Sequence, residues 1–173
     1  MDTRSKEFCA EVYKVFLYLS SRIIRAEGGE IRSFDGDRVM GVFVGDSKNT
    51  SAAKAGLKIN YAVKNILNPS LGSVYEGYPG ITHTVGIDTS ELLAVRAGIR
   101  GSNDLVWIGR AANHAAKLNN LQSKFATRIT KEVFDSMHSS AKVGGPNSQP
   151  MWEAVTWTDT ARPIYRSNWT WKP

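Results

Sequence analysis

The stretch Gly28–Phe43, GGEIRSFDGDRVMGVF, decides the fold of the surrounding chain. It predicts two β-strands, Glu30–Phe34 and Arg38–Val44, joined by a tight Asp-Gly-Asp turn whose glycine lets the backbone reverse. Carboxylates at the edge of a strand are suitable ligands for a hard divalent cation. The hairpin therefore predicts a folding element and, at Asp35 and Asp37, a candidate metal site.

A second informative block lies about 70 residues further on, at Val106–Leu118 (VWIGRAANHAAKL). It predicts a short strand over residues 104–108 that runs straight into a helix from Gly109 to about Asn120. Asn113 and Lys117 are four residues apart in that helix, so both side chains project from one face. The block predicts a second group of polar side chains that could act on a bound ligand.

The rest of the chain alternates between helical and strand patterns. In chain order these predict a helix ending near Gly28, a helix opened by Ser51 and stopped by Asn68-Pro69, a loop over Ser70–Gly80, strands over Ile81–Ile87, Leu92–Ala97 and Thr127–Ile129, a helix capped by Thr130, a loop over His138–Pro150, and a terminal strand pair over Met151–Trp157 and Pro163–Trp171. Tryptophans at 152, 157, 169 and 171 predict one packed aromatic face. The fold class is α+β: helices packed on a central, mostly antiparallel sheet with a C-terminal β-pair.

Composition limits the classes of protein to which the chain can belong. Its 173 residues, 42% apolar and 22% charged, predict a single domain spanning 1–173. No apolar run approaches a membrane span, so no membrane partner is expected. The single Cys9 fits a reducing cytoplasm. The net charge of +6 predicts an anionic partner, and the dispersed basic residues favour a nucleoside triphosphate over a nucleic acid.

Both blocks, in this order, resemble the catalytic domain of class III nucleotidyl cyclases. The resemblance covers Glu7 to about Met137 and implies a ferredoxin-like core. It also implies cyclisation of a nucleoside triphosphate by attack of the ribose 3′-oxygen on the α-phosphorus, with release of pyrophosphate. Two divalent ions per site, Mn²⁺ or Mg²⁺, would assist this reaction. The family further implies a head-to-tail homodimer whose active sites combine the hairpin of one chain with the Asn113 helix of the other.

The family's residue roles fall on specific positions of this sequence. Asp37 matches a metal-binding Asp, and Asp35 is an extra carboxylate beside it. Asn113 matches the Asn that orients the ribose, and Lys117 stands where the family has an Arg that stabilises phosphate charge. The remaining substrate-binding candidates are Gly109 and Arg110 at the helix N-terminus, and Arg128 as a further phosphate contact. Two simpler readings stay open, since Asp-Gly-Asp also makes a good hairpin turn and Lys117 could be a solvated helix cation.

One family feature falls at the edge of the sequence. The second metal-binding Asp of the family ends a first β-strand, and by the resemblance it would immediately precede Met1. The sequence is therefore expected to lack the first strand of the sheet, with Asp2 as a displaced alternative ligand.

The positions that read the base differ from those of purine cyclases. Ser33 stands where ATP-using members have Lys and GTP-using members have Glu, and Val106 replaces a second polar residue. With these changes the chain resembles the pyrimidine cyclases of bacterial anti-phage (Pycsar) systems. Two stretches of the sequence support the same resemblance: FDGDRVMGVF in the hairpin and IYRSNWTW near the end. That resemblance implies cyclisation of UTP, or less favourably CTP, to a second messenger of antiviral defence. An adenylate cyclase with unusual specificity residues and a non-catalytic cyclase-like module remain alternatives.

Overall fold

The computed structural model describes residues 6–122 and 124–173, except for the side chain of Ser102. Asp2 therefore lies outside the described residues. The helices are α1 (Lys6–Ala26), α2 (Lys48–Ala62), α3 (Asn68–Val74), α4 (Arg110–Asn119) and α5 (Lys131–Ser136). The strands are β1 (Glu30–Asp35), β2 (Arg38–Val42), β3 (Val85–Ile87), β4 (Leu93–Ile99), β5 (Ser102–Ile108), β6 (Thr127–Thr130), β7 (Val143–Gly144), β8 (Gln149–Pro150), β9 (Glu153–Trp157) and β10 (Arg162–Ser167).

The largest described sheet has the strand order β3-β6-β10-β9. Its β3–β6 pair is parallel, whereas β6–β10 and β10–β9 are antiparallel. The pairs β1–β2, β4–β5 and β7–β8 form separate two-stranded sheets. Helices pack on this sheet through buried apolar side chains, so the predicted α+β class and the C-terminal β-pair are confirmed.

Two of the buried clusters hold α1, α2 and α5 against the strands. One centres on Leu57 of α2, Ile129 of β6 and Val133 of α5, with Trp169 packed at its edge. The other joins α1 and α2 and extends to Ile31, Val39, Phe43, Ile81 and Val85. The β1–β2 hairpin and β3 therefore cover the same pair of helices, although no hydrogen-bonded ladder joins these strands in the described part of the chain.

The helix after the second block is placed by close packing on β3. A Cβ atom built on Gly86 would lie 2.2 Å from the Ala115 carbonyl oxygen of α4. Only glycine permits this approach of helix to strand. Leu118, on the same face of α4, is fully buried. The opposite face of α4 is therefore left free to meet solvent or a ligand.

The second helix begins and ends at residues other than those predicted from the sequence. It begins at Lys48, with Ser47 as N-cap, rather than at Ser51. Pro69 does not stop it, and the predicted loop over Ser70–Gly80 is wrong at its start, because a π-helical turn over Val63–Leu67 leads directly into α3. Proline is tolerated in a first helical turn, where its missing N–H needs no partner.

Three smaller predictions also need correction. Only Val85–Ile87 of the predicted strand Ile81–Ile87 is paired. Thr130 is the N-cap of α5, but its side chain makes no capping hydrogen bond and donates instead to Asp88, at 2.6 Å. The tryptophans do not share one face: Trp157 packs with Leu118, whereas the other three pack on the cluster around Leu57.

Candidate active site

The β1–β2 turn carries the two predicted metal-binding carboxylates on the surface. Gly36 takes a φ of +58°, which lets the chain reverse between them. Asp35 forms an ion pair with Arg38 across the turn, at 2.7 Å. Asp37 is exposed and makes no hydrogen bond or ion pair among the described residues. Its carboxylate oxygens are therefore free to bind a cation.

The hairpin alone cannot complete a metal site. No group of three or more His, Cys, Asp or Glu side chains suited to a metal ion occurs in residues 6–122 and 124–173. The oxygen donors of Asp35 and Asp37 do match the ligands that Mg²⁺ and Mn²⁺ prefer. The donor chemistry therefore fits, and further ligands have to come from substrate phosphates, water or another segment.

The α4 helix presents the second group of predicted site residues. Gly109, its N-cap, has a φ of +153°, and a Cβ there would lie 2.9 Å from the Glu91 carbonyl oxygen. Another residue at this junction would be strained, so glycine fixes the direction in which the helix leaves β5. Asn113 and Lys117 are both exposed on the face of α4 that points away from Gly86. No described hydrogen bond or ion pair joins them to the hairpin carboxylates.

Arg110 is held within the protein by a buried carboxylate. The side chain of Asp88 has 0% exposure, and its Oδ2 lies 3.4 Å from both Arg110 Nε and His114 Nδ1. Arg110 also donates to Glu132 and to the Thr89 carbonyl, each at 2.7 Å. Burial alone would raise the pKa of Glu132, but the Arg110 hydrogen bond and charge keep that pKa below its usual range. The Arg110 guanidinium, which the sequence predicts to contact phosphate, is therefore already paired with groups of the protein.

Arg128 is also engaged internally. It is 5% exposed and donates to the carbonyls of Phe125, at 3.0 Å, and Gln122. Burial, with a further contribution from nearby Arg166, lowers the pKa of Arg128. The predicted phosphate contact would require this side chain to leave the loop that it holds.

The two predicted base-reading positions lie on strands that the fold brings together. Ser33 and Val106 are both exposed. Their chain neighbours meet, since the Arg32 guanidinium carbon lies 5.2 Å from the centroid of the Trp107 ring. Sequence reasoning missed this contact.

This arrangement is the fold of the class III nucleotidyl cyclases. The crystal structure of the guanylyl cyclase Cya2 matches it with a TM-score of 0.78 and 16% identity, over 99% of this chain and 86% of that one. No protein-family model matches the chain.

Sequence comparison gives the closer relationship. The chain is 50% identical over 171 residues to a uridylate cyclase of Burkholderia cepacia, covering 99% of this chain and 73% of that protein. It is 48% identical over 167 residues to a uridylate cyclase of Xanthomonas perforans, covering 95% of this chain and 71% of that protein. The chain belongs to the uridylate cyclase family.

None of the helices in the described residues combines the length and the apolar character of a membrane span.

Proposed function

We propose that this chain is the catalytic domain of a pyrimidine nucleotide cyclase that converts UTP, and less efficiently CTP, to the 3′,5′-cyclic monophosphate and pyrophosphate. The observation that carries the proposal is the 50% identity to a uridylate cyclase over nearly the whole chain. The uncharged positions Ser33 and Val106 support it, because they offer no fixed charge to select a purine. As the sequence resemblance implies, the product would serve as a second messenger in anti-phage defence.

The chemistry is divided between the hairpin turn and α4. Asp37, with Asp35 beside it, would hold divalent ions; when bound, these neutralise phosphate charge and make the 3′-hydroxyl a better nucleophile. Asn113 would orient the ribose so that its 3′-oxygen lies in line with the α-phosphorus. Lys117 would face the phosphates and stabilise negative charge that develops there. Arg110 would support the strand–helix junction at Gly109, the helix N-terminus to which the sequence assigns the phosphate.

The assay for this proposal supplies UTP, CTP, ATP and GTP in parallel, with Mn²⁺ or Mg²⁺, and separates the products by chromatography. We expect cyclic UMP as the main product and faster turnover with Mn²⁺, which tolerates irregular coordination better. A preference for ATP would overturn the pyrimidine assignment in favour of an adenylate cyclase. No product from any nucleotide would support a non-catalytic module.

We also propose that two copies of the chain form composite sites. Asn113 and Lys117 project from the face of α4 opposite Gly86, and no described ion pair or hydrogen bond connects them with Asp37 of the same chain. A two-fold arrangement would supply the hairpin from one copy and the helix from the other. Mixing Asp37→Ala chains with Asn113→Ala chains should restore part of the activity. A mixture no more active than either variant alone would contradict the composite site.

A further strand is proposed to complete the sheet between β2 and β3. In the described residues β2 pairs only with β1, and β3 only with β6, yet Val39 and Val85 pack on the same buried cluster. An inserted strand would join the two edges and could carry the second metal-binding carboxylate. The test compares turnover by the 173-residue chain with turnover by a chain extended upstream of Met1, where the resemblance places that Asp. Equal rates would contradict this role for the added segment.

A further inference from the structure

His114 of α4 lies between a buried carboxylate and a buried indole. Its Nδ1 is 3.4 Å from Oδ2 of Asp88, whose side chain is fully buried. Its ring meets the ring of Trp157 edge to face, with the two centroids 5.4 Å apart. Asp88 Oδ2 and Trp157 Nε1 make no hydrogen bond within residues 6–122 and 124–173. Because a buried carboxylate oxygen without a donor is costly, Oδ2 favours an N–H donor from the imidazole.

The other groups around Asp88 leave this oxygen poorly satisfied. Thr130 donates to the other oxygen, Oδ1, at 2.6 Å. Arg110 reaches Oδ1 at 3.5 Å and lies 3.4 Å from Oδ2, while its Nη1 donates to Glu132 at 2.7 Å. The imidazole of His114 is therefore the group placed to complete the pairing of Oδ2.

Other contacts fix the two ends of α4 more firmly than its middle turn. At the N-terminus the Ala111 amide donates to Ser90 Oγ, at 3.0 Å. At the C-terminus Thr84 Oγ1 donates to the last carbonyl of the helix, at 2.6 Å, and Leu118 is buried. Between these ends α4 rests on Gly86, which has no side chain to interlock with the helix. That contact sets how close the helix lies to β3, so the rotation of the middle turn depends on a directional contact.

We propose that His114 is a positioning residue for the cyclase reaction, and that its contact with Asp88 sets the rotation of α4. Asn113 and Lys117 belong to the same two turns, so their side chains follow any rotation there. Side chains extend about 5–6 Å from a helix axis, so a rotation of roughly 10° moves their ends by about 1 Å. A misplacement of about 1 Å can lower a rate about 100-fold. This inference rests on the proposed function, because the groups that are positioned are those assigned to ribose and phosphate.

Three substitutions at His114 separate a positioning role from simple packing. His114→Asn keeps an N–H donor close to the place of Nδ1, whereas His114→Phe keeps an aromatic ring against Trp157 and removes the donor. His114→Ala removes both without added bulk, so the test does not depend on the folding of one variant. The matched control is His138→Phe, at an exposed histidine whose Nδ1 lies 2.9 Å from Ser140 Oγ. Steady-state turnover of UTP gives kcat and KM for each chain, and urea unfolding gives its stability.

His114→Phe and His114→Ala should lower kcat about 10- to 100-fold and keep KM for UTP within about threefold of wild type, because the misplaced groups act in the transition state. His114→Asn should keep kcat within about threefold of wild type, since the donor to Asp88 remains. His138→Phe should match the wild type. Lower stability with an unchanged kcat for the Phe and Ala variants would overturn the inference, and so would a His114→Asn chain as slow as His114→Phe.

Crystal structures of the wild type and the variants, superimposed on β3 and β6, locate α4 without any need for turnover. The helix should be rotated by roughly 10° in His114→Phe and should keep its wild-type position in His114→Asn. An unrotated helix in His114→Phe would contradict the inference even if the rate falls. A wild-type chain that cyclises no nucleotide would sink the proposed function, whereas a rotated helix in His114→Phe would still show that His114 anchors α4.

Discussion

The β1–β2 turn and the β3–α4 junction both bring carboxylates close to cationic side chains, but they use them in opposite ways. Asp37 in the turn is exposed and has no partner among the residues that the structure describes, whereas the Asp88 side chain is fully buried against Arg110, His114 and Thr130. An open carboxylate adds little to folding and is available for chemistry, whereas a buried one is part of the structure. The family motif alone did not distinguish these two uses, because it assigned Arg110 to the substrate.

The largest effect should come from removing the open carboxylate. We expect Asp37→Ala to lower turnover at least about 10³-fold, roughly 4 kcal/mol, because a metal ligand supplies several kcal/mol of charge stabilisation. Stability should stay within about 0.5 kcal/mol of wild type, as for other exposed sites. The measurement is steady-state turnover of UTP beside urea unfolding.

Asp46 provides the matched control for that substitution. It is also exposed and also follows a glycine with positive φ, Gly45, at +85°. Asp46→Ala should leave turnover and stability unchanged. Similar losses from both variants would mean that general surface charge, rather than a metal site, makes the hairpin important.

Removing the buried carboxylate beside Arg110 should change the stability of the protein, whereas removing Asp37 changes its turnover. Asp88→Ala removes the buried partner of Arg110 and leaves a partly buried cation, which should destabilise the protein by about 3 kcal/mol. Urea unfolding measures the change, and Asp159→Ala, at an exposed position, is the control. The double variant Asp88→Ala/Arg110→Ala should be less destabilised than the sum of the two single variants. Additive losses would show that the two side chains are not coupled.

The third prediction tests whether Lys117 acts in catalysis or is a solvated cation on the surface of α4. Lys117→Ala should lower kcat about 10²-fold, close to 2.7 kcal/mol, the loss typical of one positioned group that stabilises developing charge. Lys117→Arg should keep most of the rate, because the charge remains. Lys14→Ala, on the exposed side of α1, is the control. An unchanged rate for Lys117→Ala would assign that residue to the solvated surface.

Local pattern was enough to predict the elements that depend on neighbouring residues. The hairpin follows from alternation around Asp-Gly-Asp, and α4 follows from a glycine junction and helical spacing, so both appear within one or two residues of their predicted ends. The exposed positions of Asn113 and Lys117 follow in the same way, because they lie opposite the face that packs on Gly86.

The errors arose where contacts between distant segments decide the outcome. Pro69 looks like a helix stop in isolation, but the chain continues through a π-turn into α3, where Leu67 and Leu71 pack on the distant Val12 of α1. Trp157 and Trp169 look alike in sequence but enter different clusters, because Trp157 ends β9 whereas Trp169 lies two residues beyond the end of β10. The contact between Arg110 and Asp88, 22 residues earlier, is likewise not indicated by neighbouring residues, and the prediction that Arg110 contacts the substrate stays a prediction.

The smallest expected effect is a dependence of stability on pH, and it comes from a buried histidine. Burial, assisted by the charge of Lys64, lowers the pKa of His83 to about 4, and the ring Nε2 has no hydrogen-bond partner within residues 6–122 and 124–173. In the unfolded chain this pKa returns to about 6.5, so as the pH falls the unfolded state takes up the proton first. Stability attributable to neutral His83 is therefore complete above pH 6.5 and is lost progressively as the pH falls towards 4. Between pH 7 and pH 5 the wild type should lose about 2 kcal/mol of unfolding free energy more than His83→Gln does. Urea unfolding across this range measures the difference, and parallel pH curves for the two proteins would show that His83 does not titrate on unfolding.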